Sequence, residues 1–231
     1  MARQLAGQTA IVTGASRGIG RAIVRACLEM GINVVAVARN EYGLERLQEE
    51  MRVGKRLLAV ACDIRDQLEV ERLFEVACDR FGSIEIVINN AGVGFFAPIE
   101  EYDEAMLDEI LDTNLKAVFH MCRAAFVHMK RGGGGQIVNI AALLGHVAEP
   151  FASAYCASKW GVLGLTEALR LEGSPHGIRV ASVSPGTTQT DFGGIPSSQK
   201  GQALRPETVA EAVTYLLTQG DDAKMTQVVL R

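Results

Sequence analysis

Two residues suited to proton transfer, Tyr155 and Lys159, stand four positions apart in the segment Tyr-Cys-Ala-Ser-Lys. If this segment is helical, both side chains share one face, with Cβ atoms about 5–6 Å apart. A phenol ordinarily loses its proton near pH 10, and a neighbouring ammonium group lowers that pKa towards the pH at which acid–base catalysis is efficient. Chance also produces this spacing on amphipathic helices, so the pair alone is weak support for a proton-transfer site.

A glycine-rich turn at 13–20, Thr-Gly-Ala-Ser-Arg-Gly-Ile-Gly, lies about 140 residues before Tyr155. An apolar strand pattern precedes it and a helical pattern follows it. In such a strand–turn–helix unit, Gly14, Gly18 and Gly20 let the backbone turn tightly and approach a pyrophosphate. The N–H groups at the start of the helix then face the phosphates. The pattern favours a dinucleotide site over a turn that binds no ligand.

Further motifs follow in order along the chain: Asp63, Asn-Asn-Ala-Gly at 89–92, Asn114 and Pro185-Gly186. With the two motifs above, they make the chain resemble the short-chain dehydrogenase/reductase family from about residue 7 to the C-terminus. The resemblance implies hydride transfer between a nicotinamide and a carbonyl or alcohol. It also implies that Tyr155 is the acid–base residue, that Lys159 lowers its pKa and binds the nicotinamide ribose, and that Asn114 holds a water linking Lys159 to solvent.

The same resemblance implies which residues contact the cofactor. Asp63 would accept from the adenine amino group, although a lone Asp there could equally cap the next helix. Asn90 would fix the sheet and let the backbone approach the ribose, with Gly92 permitting close contact. Thr188 and Thr190 would hold the nicotinamide carboxamide. The full expected set is Gly14, Ser16, Arg17, Gly18, Ile19, Gly20, Arg39, Asp63, Ile64, Asn90, Gly92, Tyr155, Lys159, Pro185, Gly186, Thr188 and Thr190.

The end of the second predicted strand indicates which cofactor is used. Members that prefer NAD carry an acidic residue there, whereas this chain has Val-Ala-Arg-Asn at 37–40. Arg39 can bind a 2′-phosphate through charge-assisted hydrogen bonds. Arg17 lies close to the same region in similar proteins. The two arginines favour NADP(H), unless both are ordinary solvated surface residues.

One position departs from the family pattern. The catalytic serine is expected three residues before a glycine and thirteen before the tyrosine, and both counts reach Ala142. Alanine has no donor for the substrate oxygen, and losing such a donor lowers rates by about 10²–10³. Ser153 and Thr187 are the nearest candidates for a substitute, but neither stands where the motif needs a hydroxyl. Three explanations remain open: an inactivated enzyme, a slow natural member, or a cofactor-binding protein without catalysis.

Composition excludes several other classes of function. The net charge of −4 without blocks of like charge argues against nucleic-acid binding. No apolar run reaches the roughly eighteen residues of a membrane helix, and no secretory leader is visible, so we expect a cytoplasmic protein. The five cysteines are scattered and the histidines lack ligand spacing, so we expect no metal site.

Strand-length apolar runs alternate with helix-length periodic segments, which predicts an α/β, doubly wound (Rossmann) fold with a parallel seven-stranded sheet in a single domain, 1–231. The predicted strands are 9–13, 33–38, 57–61, 84–88, 136–140, 179–183 and 227–230. The predicted helices are 18–30, 41–53, 66–81, 104–131, 152–172 and 206–218.

The sequence therefore predicts an NADP(H)-dependent oxidoreductase acting on a small carbonyl compound or its alcohol. Phenylalanines and leucines at 95–96, 143–144, 151 and 192 are candidates for an apolar substrate wall or simply for core, and the Gly- and Ser-rich segment 191–205 for a mobile lid. The alternatives are a non-catalytic NADP(H)-binding or regulatory protein and a structural subunit. Apolar residues on helices 107–129 and 157–171 suit a homodimer or homotetramer.

Overall fold

A computed structural model describes residues 3–194, 196–220, 222 and 225–231. The remaining six residues of the predicted domain, among them Ile195 in the predicted lid, lie outside the described part. The chain forms a seven-stranded sheet in which every pairing is parallel, and the strands, counted along the chain, lie side by side in the order 3-2-1-4-5-6-7. The doubly wound fold predicted from the sequence is confirmed.

The strands and helices alternate as predicted. The strands are β1 (Thr9–Thr13), β2 (Asn33–Ala38), β3 (Leu57–Ala61), β4 (Ile86–Asn89), β5 (Gly135–Ile140), β6 (Ile178–Pro185) and β7 (Gln227–Leu230). The α-helices are α1 (Gly18–Glu29), α2 (Glu41–Met51), α3 (Gln67–Phe81), α4 (Glu104–Leu111), α5 (Ala117–Gly132), α6 (Ser153–Gly173) and α7 (Pro206–Thr218). Among the described residues, no helix has both the length and the apolar content to cross a membrane.

Helices cover both faces of the sheet. Successive residues of a strand point to opposite faces, so each strand contributes to both cores. In β1, Ala10 and Val12 face a core built with α1, α2 and α7. Ile11, between them, faces a second core built with α3, α5 and α6. A strand buried on both faces reads as a continuous apolar run, which is why the sequence predicts the strands so well.

The predicted single helix 104–131 is wrong in one respect. A π-helical segment, Asp112–Lys116, separates α4 from α5. The segment carries Asn114, which is fully buried. Single-turn π segments often occur at functional sites because they reorient one side chain. Hydrophobic periodicity cannot reveal one extra residue in a turn, so the break was not visible in the sequence.

The sheet also determines where a crevice opens. β1 pairs with both β2 and β4, so the direction of strand succession reverses there. The segments that follow β1 and β4 therefore diverge at the carboxyl edge of the sheet, which is where ligands bind in open α/β folds.

Candidate active site

The turn after β1 is packed too closely for a side chain at Gly20. A Cβ added at Gly20 would lie 2.2 Å from the carbonyl oxygen of Gly14 and 2.6 Å from Nδ2 of Asn90. Gly14 and Gly18 have φ of 64° and 54°, a region that favours glycine. Arg17, which precedes α1, makes no side-chain capping bond. The first N–H groups of α1 are thus left for an anionic ligand.

Asn90 ties the turn to the segment after β4. Its Nδ2 donates to the carbonyl oxygens of Thr13 at 2.9 Å and Gly14 at 3.3 Å. In return, the hydroxyl of Thr13 accepts from the backbone N–H groups of Asn90 and Ala91 at 3.0 and 3.1 Å. The amide of Asn90 therefore holds two loops together rather than pointing at a ligand.

A cleft of about 1060 Å³ runs along this edge of the sheet. Sixteen of the expected cofactor residues line it: Gly14, Ser16, Arg17, Gly18, Ile19, Arg39, Asp63, Ile64, Asn90, Gly92, Tyr155, Lys159, Pro185, Gly186, Thr188 and Thr190. Gly20 does not line the cleft; its lack of a side chain allows the turn to pack closely against Gly14 and Asn90. Ala142 and Thr187 line the cleft, whereas Ser153 is absent from its wall.

Tyr155 and Lys159 lie on the buried face of α6, together with Ser158 and Val162. The ammonium group of Lys159 donates to the carbonyl oxygen of Ile140 at 3.0 Å and lies 5.8 Å from the centroid of the Tyr155 ring. Burial lowers the pKa of Lys159 to about 8. The helix thus presents a phenol and a desolvated amine to one cleft, as their spacing predicts.

The prediction that Tyr155 has a lowered pKa is wrong for this structure. Burial raises the pKa of Tyr155, and the neighbouring Cys156 adds to the rise. The ring is packed between Phe96 and Phe192, with centroids 5.6 and 5.7 Å away. Desolvation of the phenolate is therefore the main cause of the raised pKa.

Asn114 is held rigidly beside this pair. Its Oδ1 accepts from the N–H of Val93 at 2.8 Å, and its Nδ2 donates to the Val93 carbonyl at 2.9 Å and to Oγ of Ser158 at 3.1 Å. A Cβ added at Gly92 would lie 3.2 Å from Oδ1 of Asn114 and 3.7 Å from Nζ of Lys159. Gly92 thus leaves a small space that both polar groups face.

At the adenosine end, Asp63 is engaged by Arg65. The guanidinium Nε of Arg65 donates to both carboxylate oxygens at 2.9 and 3.0 Å, and Nη2 donates at 2.5 Å. Hydrogen bonds from Arg65 lower the pKa of Asp63. Asp63 does not cap α3, because Asp66 accepts from Leu68 and Glu69 there.

Sequence reasoning missed several residues of the site. Thr113 is buried in the π segment and lines the cleft, and its hydroxyl has no partner among the described residues. Its place next to Asn114 was the only signal in the sequence. Arg65 and Glu109 were also missed, since ion pairs between distant segments leave no local pattern.

Of the candidate substrate wall, Phe96, Leu143, Leu144 and Phe192 line the cleft, whereas Phe95 and Phe151 do not.

Comparisons with known proteins identify the family. The sequence profile described as short chain dehydrogenase matches residues 8–200. D-threitol dehydrogenase of Mycolicibacterium smegmatis is 36% identical over 227 residues, covering 92% of this chain and 86% of that protein.

Two solved structures superpose on almost the whole chain. A metagenomic short-chain oxidoreductase in complex with NADP has a TM-score of 0.87 at 33% identity, covering 99% of this chain and 98% of that one. A 3-ketoacyl-(acyl-carrier-protein) reductase from Brucella melitensis complexed with NADH has a TM-score of 0.89 at 31% identity, covering 98% and 96%. The chain therefore belongs to the short-chain dehydrogenase family and is an NAD(P)-dependent oxidoreductase.

Proposed function

We propose that this chain interconverts a carbonyl compound and its alcohol with NADP(H), and that Tyr155 is the proton donor and acceptor. The observation that carries the proposal is the position of Tyr155 and Lys159, both buried on the wall of the cleft that contains the glycine turn. The cleft fits a dinucleotide, because it combines a turn in which Gly14 and Gly20 keep the backbone close-packed, a helix N-terminus without a side-chain cap, and a Thr113 hydroxyl that has no partner among the described residues.

A bound nicotinamide supplies the hydride that adds to the carbonyl carbon, or accepts it in the reverse direction. The phenol of Tyr155 donates its proton to the carbonyl oxygen and receives one in return during alcohol oxidation. Its raised pKa keeps it protonated, which is the form needed for reduction. Lys159 places a positive charge beside the ring and stabilises the phenolate after the proton has left.

Two arginines support NADP(H) as the cofactor. Arg17 and Arg39 both line the cleft, at the glycine turn and after β2. The metagenomic relative was solved with NADP, whereas the Brucella reductase was solved with NADH. The choice therefore depends on the residues of this chain, and a guanidinium at the end of β2 suits a 2′-phosphate. Calorimetric titration tests it: NADPH should bind more tightly than NADH.

Ala142 is proposed to attenuate the reaction. Its backbone is extended, with φ −164° and ψ 163°, and it lines the cleft with a methyl group where a hydroxyl would donate to the substrate oxygen. Of the two hydroxyls considered as substitutes, Thr187 lines the cleft and Ser153 does not. The reaction then proceeds with fewer preorganised donors and a lower turnover.

The substrate is proposed to be a hydrophobic ketone or aldehyde. The cleft near Tyr155 is lined by Phe96, Leu143, Leu144 and Phe192. Such a wall favours apolar groups beside the reacting carbonyl.

The experiment that tests the proposal is NADPH oxidation against a panel of ketones, aldehydes and quinones, with Tyr155→Phe as the paired variant. We expect slow turnover by the native chain, no turnover by the variant, and equal NADPH affinity for both. Turnover that survives in Tyr155→Phe contradicts the assigned role of the phenol.

A second candidate is a non-catalytic NADP(H)-binding protein. Ala142 favours it, because the residue removes one catalytic donor while the cofactor cleft is intact. The same panel discriminates the two candidates: this protein would bind NADPH in calorimetry and oxidise it with none of the substrates.

We further propose a homodimer or homotetramer. Large apolar side chains on α4, α5 and α6 are exposed, namely Leu107, Phe119, Trp160 and Leu171. We propose that these side chains contribute to a contact surface between copies of the chain, as exposed apolar patches do. Light scattering on the purified chain measures the assembly, and a monomeric mass would contradict it.

A further inference from the structure

Arg39 and Arg65, which flank the adenosine end of the cleft, share one carboxylate. Oε1 of Glu109 accepts from Nη1 of Arg39 at 3.4 Å, and Oε2 accepts from Nη1 of Arg65. Glu109 lies on α4 and is absent from the wall of the cleft, whereas both arginines line it. Glu109 therefore acts on a ligand in the cleft through its ion pairs with these two arginines.

The two arginines are held very differently. Arg65 is also bound by both carboxylate oxygens of Asp63, so three hydrogen bonds fix it even without Glu109. Within the described ranges, Arg39 has no ion pair besides the long one with Glu109, and half of its side chain is exposed. Arg39 is thus the more weakly held partner, and the ion pair that holds it is the kind that contributes little to stability.

We propose that Glu109 determines how strongly the chain discriminates between NADP(H) and NAD(H), by competing with the 2′-phosphate for Arg39. The inference rests on the proposed function, in which Arg39 binds that phosphate. A guanidinium engaged by a carboxylate must exchange it for the phosphate, and the displaced carboxylate remains nearby as a like charge. NAD(H) has a hydroxyl at this position and requires no such exchange.

Two opposite effects of Glu109 have to be weighed. The carboxylate could position Arg39, in which case its loss would weaken NADPH binding. The 3.4 Å separation and the exposure of Arg39 make this positioning effect small. Removing a competing negative charge from the neighbourhood of a phosphate is the larger effect. Glu109→Gln should therefore lower the dissociation constant for NADPH about three- to fivefold and that for NADH by less than about twofold.

The test is calorimetric titration of the full chain with NADPH and with NADH at low ionic strength. Glu109→Asp keeps the charge and should retain most of the native ratio of the two affinities. Asp108→Asn removes an exposed charge from the same helix and serves as the matched control. It should change the ratio by less than about twofold, since exposed charges that lack a close partner interact weakly across solvent.

A double-variant cycle separates competition for Arg39 from other effects. In an Arg39→Ala background, Glu109→Gln should no longer increase NADPH affinity. The inference is overturned if Glu109→Gln weakens NADPH binding, or if it changes the affinities for NADPH and NADH equally, as a structural effect would. It is also overturned if Asp108→Asn increases NADPH affinity as much as Glu109→Gln does, or if Glu109→Gln still increases NADPH affinity in the Arg39→Ala background. Tighter binding of NADH than NADPH by the native chain would instead contradict the cofactor assignment in the proposed function, while the shift caused by Glu109→Gln still reports on Glu109.

Discussion

The ring of Phe192 lies against the ring of Tyr155, with centroids 5.7 Å apart and planes inclined at 58°. Phe192 follows β6, and its carbonyl oxygen accepts from Nζ of Lys200 at 3.0 Å. Phe96 covers another side of the phenol ring at 5.6 Å. The residue proposed to transfer the proton is therefore screened from water by two aromatic rings, which explains why burial raises its pKa.

Phe192→Ala should lower the pKa of Tyr155 towards its ordinary value of about 10, because water then reaches the phenol. Ultraviolet titration of the variant against Phe192→Ala/Tyr155→Phe isolates the signal of this one tyrosine. Phe95→Ala is the matched control, since Phe95 is exposed and absent from the cleft wall. A Tyr155 titration that is the same in Phe192→Ala as in the native chain would contradict the screening role of Phe192.

Lys159 makes stability depend on alkaline pH. Its pKa falls from 10.5 to about 8 because burial disfavours the ammonium form. Between these values the unfolded chain binds more protons than the folded chain, so the contribution of Lys159 to stability rises with pH and is lost as pH falls through 8. Urea denaturation at pH 7.5 and 9.5 should show a gain of about 2 kcal/mol for the native chain relative to Lys159→Met. Parallel behaviour of the two proteins would show that the amine is not desolvated.

The sequence predicts the sheet and its cofactor cleft because their signals are local. Strands such as β1 are continuous apolar runs, and the glycines of the turn stand between a strand and a helix. The pair Tyr155 and Lys159 reaches one face of α6 by helical spacing alone. Each of these features depends on residues within a few positions of one another.

What the sequence could not predict depends on contacts between distant segments. The π segment places Asn114 beside Val93. The hydrogen bond from the N–H of Val93 to Oδ1 of Asn114 joins residues 21 positions apart in the sequence. The ion pair between Arg39 and Glu109 crosses 70 positions. The pKa of Tyr155 was predicted from its helical neighbour, whereas the rings that dominate it come from other parts of the chain.

Ala142→Ser should raise carbonyl reductase turnover at least about tenfold, since it restores a donor to a cleft whose other proposed groups are in place. The extended backbone at this position accepts serine without strain. Ala142→Cys, which has a similar size and a weak donor, should gain much less. Steady-state rates with NADPH and a common ketone measure the effect. Equal rates for the native chain and the serine variant would mean that the missing hydroxyl does not limit the reaction.

Gly20→Ala should damage both the fold and the cleft, although it adds a single methyl group. The new Cβ would lie 2.2 Å from a backbone oxygen of Gly14, which cannot move without opening the turn. We expect a loss of about 1–3 kcal/mol in the free energy of unfolding and NADPH affinity weakened by more than about tenfold, since the phosphate-binding backbone must shift. Gly164→Ala in α6 is the control. Apart from its chain neighbours and the backbone of the surrounding helix turns, no described atom lies within 4 Å of its added Cβ, so the helix should gain about 0.5–1 kcal/mol. Urea denaturation and calorimetric titration of both variants measure the contrast, and similar results for the two would refute the close packing of the turn.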